Sequence, residues 1–148
     1  MSYYPDLSPH QYHMQALDPA LVSIGWLDGI HPYSTGTVND AFLERLWSYC
    51  RYFIREFRGV HTCELCSEPE FGATIRRGDE ELLLGSAEIR VPGRNGLVYA
   101  APNFIYHYIV AHHYLPPPAF IDAVMHGLSP DADEYQGLKK QWDWPPLF

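Results

Sequence analysis

The stretch His61-Thr62-Cys63-Glu64-Leu65-Cys66 constrains this chain more than any other. Two thiolates separated by two residues can curl around one metal ion, their sulfurs about 3.5 to 4 Å apart at two corners of a tetrahedron. Whatever fills the other corners must return to this loop, so reading the knuckle as a metal site is also a statement about the path of the chain. Zn²⁺ takes Cys and His in any mixture that closes four positions, which makes it the expected cofactor. The competing reading is two ordinary reduced thiols or a redox pair, and the latter lacks the strand-then-helix context that thioredoxin-like chemistry uses.

The rest of the composition sets what surrounds such a loop. A chain of 148 residues fits one domain, 1–148, able to bury roughly two-thirds of its unfolded surface. A hydrophobic fraction of 47% argues for a packed core, while 13 Pro and 11 Gly argue for short elements joined by many turns. Three Cys, two of them in the knuckle, suit a reducing compartment better than a disulfide framework, and Cys50 reads as a buried helix residue. With no signal-like start and no run of about 18 apolar residues, the expected location is cytoplasmic, without a membrane contact. A net charge of -8 is the wrong sign for gripping nucleic acid, and would suit a basic protein partner.

Along the chain, residues 1–18 form an aromatic N-terminal arm, and Ala20 to Leu27 a short piece of core wall ended by Asp28-Gly29 and His31-Pro32. Asn39 caps a helix whose Phe42, Leu43, Leu46, Trp47 and Cys50 recur at three and four. Residues 51–57 either extend it or turn into extended chain. Three extended pieces follow, Phe71 to Arg76, Leu82 to Val91 and Leu97 to Ala101, with turn residues at Arg77-Gly78-Asp79 and at 92–96. A helix is expected over 102–112, a second after Pro116-Pro117-Pro118 that stops at Gly127, and a third from Ser129-Pro130 toward Trp142. The fold class is therefore α+β: a small antiparallel β-meander packed against three or four helices. Its core is expected to hold Trp26, Phe42, Leu46, Trp47, Ile105, Ile109, Phe120 and Val124.

The order knuckle, hairpin, helix over residues 61–113 resembles treble-clef zinc modules, in which a C-x-x-C loop supplies two ligands and the helix after the hairpin supplies the rest. The helix here has no Cys, so His must serve. The expected ligand set is His61, Cys63, Cys66 and His107: His107 lies early enough on its helix to face the knuckle, and His61 is two residues from Cys63. His112 and His113 compete for the same role, but five and six residues from His107 they do not share its face of a regular helix. For His10, His13, His31 and His126 a satisfied or exposed imidazole is the expectation.

The segments Y-P-D-L-S-P, G-W-L-D-G-I-H-P-Y-S-T-G, L-L-L-G-S-A-E-I-R-V, Y-A-A-P-N-F-I-Y-H-Y-I and Y-L-P-P-P-A-F-I-D-A-V span nearly the whole chain. In these it resembles a family of small bacterial proteins, a domain of unknown function with H-x-C-x-x-C and Y-H-Y-I segments. The resemblance implies a bacterial, cytoplasmic, single-domain protein and carries no activity.

Two function classes remain. No G-x-x-x-x-G-K-[ST], G-x-G-x-x-G, G-x-S-x-G or H-E-x-x-H occurs, which leaves nucleotide, hydrolase-elbow and zincin chemistry without an anchor. The first reading is a small acidic protein with a structural zinc site that acts by protein-protein interaction, immunity-like or regulatory by analogy of size and charge. The alternative is a metal-dependent hydrolase or nuclease with an open zinc position, drawing on Glu88, His107, His112 or His113.

Overall fold

A computed structural model of the chain describes residues 3–10, 21–56, 61–67 and 73–142. The class is α+β, four helices with small antiparallel and mixed sheets. The strands are β1 (Leu21–Ser23), β2 (Arg55–Glu56), β3 (Ala73–Arg77), β4 (Glu80–Leu84), β5 (Ala87–Pro92) and β6 (Val98–Pro102). The helices are α1 (Asp40–Arg51), α2 (Ile105–His112), α3 (Pro118–His126) and α4 (Asp133–Trp142).

The extended pieces expected between 71 and 101 form, over the described residues 73–102, two hairpins that belong to different sheets, and residues 71 and 72 of the first piece lie outside the described residues. Among the described residues β3 pairs antiparallel with β4 alone, turning at Gly78, which holds a φ of +61° at the tip. β5 and β6 pair antiparallel in a four-stranded sheet of order β1-β6-β5-β2. The stretch 82–91 thus reads as one extended run in sequence but breaks at Gly85, whose φ of +102° turns the chain from one sheet into the other. β1 joins parallel to β6, with Leu21 opposite Val98, a long-range pairing that a three-residue strand does not announce in its own sequence.

β5 is the center of the fold. Its residues Ala87 to Val91 are all buried, as expected of a strand covered on both faces. α1 and α3 pack on it and on each other, and Tyr135 of α4 donates its hydroxyl to the Arg90 carbonyl at 2.7 Å. α1 begins where Asn39 accepts from the Phe42 N–H at 2.8 Å and stops at Tyr52, after which residues 55–56 are extended. All eight residues expected in the core are buried.

The described part of the arm, residues 3–10, runs antiparallel along β1 through bridges Tyr4 to Trp26 and Pro9 to Val22; the remainder of the 1–18 segment lies outside the described residues. Asp6 pins the arm, one carboxylate oxygen accepting from the Gly25 N–H at 2.9 Å and the other from the Tyr114 hydroxyl at 2.7 Å. His10 is satisfied and its side chain buried, its Nδ1 2.9 Å from Ser23 Oγ and its Nε2 3.1 Å from Glu88 Oε1. His31 is exposed and bonded to Asp28, and His126 is exposed at the end of α3, while His13 lies outside the described residues. No helix among the described residues is long and apolar enough to cross a membrane.

Candidate metal centre

The knuckle is placed by a junction of three elements. The His61 N–H donates to the Gly85 carbonyl at 2.8 Å, fixing the entry to residues 61–66 against the crossing between β4 and β5. The Gly85 N–H donates in turn to Asn103 Oδ1 at 2.8 Å, and Asn103, just before α2, is 2% exposed. The same junction therefore sets both the knuckle and the start of the helix that faces it. On the outer side, the Gly29 N–H donates to Glu64 Oε1 at 3.3 Å, holding the middle of the knuckle.

α2 starts at Ile105 rather than Pro102, because Pro102 is still the last residue of β6, paired with Glu88. It ends at His112, where His113 adopts a left-handed φ of 58° and the Tyr114 N–H donates back to the Tyr108 carbonyl at 3.2 Å. The loop at 33–36 secures this end: the Tyr33 hydroxyl donates to the His112 carbonyl at 3.2 Å and the Gly36 N–H to the His113 carbonyl at 3.0 Å.

Cys63, Cys66, His107 and His112 converge between these elements, with one donor atom from each lying within 4.8 Å of all the others. Cys66 Sγ is 3.3 Å from His107 Nε2 and 3.4 Å from His112 Nε2, and Cys63 Sγ is 3.6 Å from His112 Nε2. A tetrahedral ion held about 2.3 Å from sulfur and about 2.0 Å from nitrogen separates its donors by roughly 3.3 to 3.8 Å. These three sulfur–nitrogen separations match those edges, and the four residues lie close enough together to hold a metal ion.

Three of the expected ligands, Cys63, Cys66 and His107, are in this group; the fourth expected ligand, His61, is not, and His112 stands in the fourth position. The physical reason lies in how a helix presents its ends. Helical side chains lean toward the N-terminus, so the ring of His112 reaches back over the last turn toward His107. No further turn follows to crowd it. The two rings meet edge to face with centroids 5.1 Å apart, despite a spacing of five. The sequence carried a usable signal: in the treble-clef order the helix supplies both remaining ligands, and α2 holds two histidines.

The electrostatics bear on what charge the cluster can hold. Burial pushes the Cys63 thiol up to about 11, since a lone thiolate at 3% exposure is poorly solvated. Burial, and then the positive charge of His112, holds His107 below the usual imidazole range; burial does the same for His112, with His113 adding to it. A neutral imidazole keeps one ring-nitrogen lone pair for ligation, and a bound cation would reverse the cost of the buried thiolate. The C-terminal end of a helix dipole, where His112 sits, also favours positive charge.

Glu88, weighed as a catalytic group, is committed elsewhere. It is 0% exposed, its Oε1 near His10 and its Oε2 accepting from Arg90 Nε at 2.9 Å. Burial works to raise its carboxyl, but His10 and Arg90 outweigh that and hold it below the usual range. A surface pocket of about 290 Å³, lined by Arg94, Leu97, Tyr99, Ala119, Asp122 and Ala123, shares no residue with the metal-type cluster and offers only the Arg94–Asp122 ion pair.

No curated protein and no solved structure matches the chain. A family model described as a domain of unknown function, DUF7919, matches residues 2–125, which include all four donors and every element that positions them. The chain belongs to the DUF7919 family.

Proposed function

We propose that Cys63, Cys66, His107 and His112 close around one Zn²⁺ as a structural site, and that the protein acts by binding a basic protein partner, as immunity-like or regulatory proteins do. The observation that carries the metal half is the donor set itself: two cysteine sulfurs and two imidazoles gathered within 4.8 Å of one another, three of the sulfur–nitrogen separations falling at 3.3 to 3.6 Å. Four protein ligands leave no position for a catalytic water, which favours stabilisation over hydrolysis. Held this way, the ion ties the knuckle to the end of α2, two segments otherwise joined through the Gly85–Asn103 junction. The partner half rests on charge: 18 acidic against 10 basic residues attract a cationic surface.

X-ray absorption at the zinc edge tests the site. Two sulfurs at about 2.3 Å and two nitrogens at about 2.0 Å, with no further light ligand, are expected; a coordinated water would favour the hydrolase alternative. Affinity capture from the source cells tests the interaction. A bound protein of high pI that is released by about 0.5 M salt is expected, since salt screens surface charge at that strength, and a partner insensitive to salt would contradict the charge argument.

A further inference from the structure

We propose that Cys63 and Cys66 form a peroxide-sensitive release pair, whose oxidation to a disulfide opens the metal centre. The inference rests on the zinc reading above and adds a regulatory step to it.

Three observations carry it. The two sulfurs lie within 4.8 Å of each other across a two-residue turn, so bringing them to the 2.05 Å or so of an S–S bond asks for a rotation of side chains in a loop rather than the breaking of a helix or a sheet. The two are unequally accessible: Cys66 is half-buried and within reach of a small oxidant, whereas Cys63 is buried, at 3% exposed. The third cysteine is out of the reaction. Cys50 is 2% exposed on α1, its Sγ 3.9 Å from the Asn103 carbonyl and its thiol pushed up to about 12 by burial.

The chemistry balances with hydrogen peroxide as the oxidant. The Cys66 thiolate attacks the O–O bond, forming an S–O bond and expelling hydroxide, which takes a proton and leaves as water. The Cys63 thiolate then attacks the Cys66 sulfur, forming the S–S bond and expelling the second oxygen as hydroxide, again protonated to water. The two sulfurs lose two electrons and the peroxide gains them. His107 and His112 alone are then a two-imidazole set, too few donors to retain the ion.

The test uses the full chain purified with its metal and measured for zinc first. Hydrogen peroxide is added in the presence of a chromophoric zinc chelator, and intact mass is read under denaturing conditions. Release of the bound zinc together with a mass loss of about 2 Da is expected, reversed by a dithiol and added zinc, and unchanged in Cys50→Ser. Zinc held before peroxide and retained after it, or released with a gain of oxygen mass and no disulfide, overturns this inference alone. Loss of the response in Cys50→Ser also overturns it, by assigning the disulfide to another pair. A chain that holds no zinc at the outset overturns the metal reading, and this inference with it.

Discussion

Replacing Gly85 with Ala tests how the site is built, because this residue carries both the crossing between sheets and the entry to the knuckle. The added methyl meets two costs. At φ +102° an L-residue is strained, which costs about 1 to 3 kcal/mol. An added Cβ would lie 2.7 Å from Phe104 Cζ, 2.9 Å from Phe104 Cε2 and 3.1 Å from the His61 carbonyl oxygen, and overpacking of that kind costs about another 1 to 3 kcal/mol. The total, about 2 to 6 kcal/mol, is a large share of the roughly 5 to 15 kcal/mol that holds a domain of this size together. It should lower Tm by roughly 5 to 20 °C. Gly78→Ala is the control: its φ is +61°, but nothing lies within 4 Å of the added Cβ, so only the backbone term of about 1 to 2 kcal/mol applies. Urea unfolding of the two variants beside the wild type makes the comparison. Equal losses, or a loss below about 1 kcal/mol at Gly85, would refute the claim that Phe104 and the knuckle entry close on this glycine.

Three further outcomes follow from named contacts. Trp47→Ala should cost about 3 to 5 kcal/mol in urea unfolding, because Trp47 is 2% exposed, packs edge-on against Tyr106 and donates Nε1 to Glu80 Oε1 at 2.7 Å. Glu80 is held down to about 2 by its bonds to Arg51 and Trp47, so its stabilising contribution is complete above the ordinary value of 4.5 and is lost as the pH falls from there through about 2; Glu80→Gln should flatten that part of the acid-melting profile, and an unchanged profile would show that the pair adds nothing. Glu88→Ala should cost about 3 to 5 kcal/mol, since it removes the buried carboxylate that Arg90 Nε and His10 Nε2 face; a melting temperature within a degree or two of wild type would refute that.

Local signals carried well from sequence to structure. The Asn39 cap, the three-and-four spacing of Phe42, Leu46 and Trp47, and the glycine turn at 78 are each decided by residues a few positions apart, and each formed as expected. What was hidden depends on distant pairing. The parallel register of Leu21–Ser23 on Val98–Ala100 and the division of 82–91 between two sheets are set by which strand reaches which neighbour, and an apolar run does not encode that. The site shows the same split. That Cys63, Cys66 and His107 come together is legible from spacing and order, whereas the geometry of a continuous helix sets His112 apart from His107. The His112 ring joins the cluster because the helix stops there, and that stop depends on His113 taking a left-handed conformation and on Tyr33 and Gly36 securing the helix end from another part of the chain.

The central claim is that four protein donors, His112 among them and His61 not, hold one zinc ion. Elemental analysis of protein purified without added metal tests it most directly, on wild type, His61→Ala, His112→Ala and Cys66→Ser, each checked for folding by circular dichroism. One zinc per chain is expected in wild type and in His61→Ala, with marked loss in His112→Ala and Cys66→Ser. Zinc retained in His112→Ala and lost in His61→Ala would contradict the geometry, and near-zero metal in all four would leave Cys63 and Cys66 as ordinary thiols.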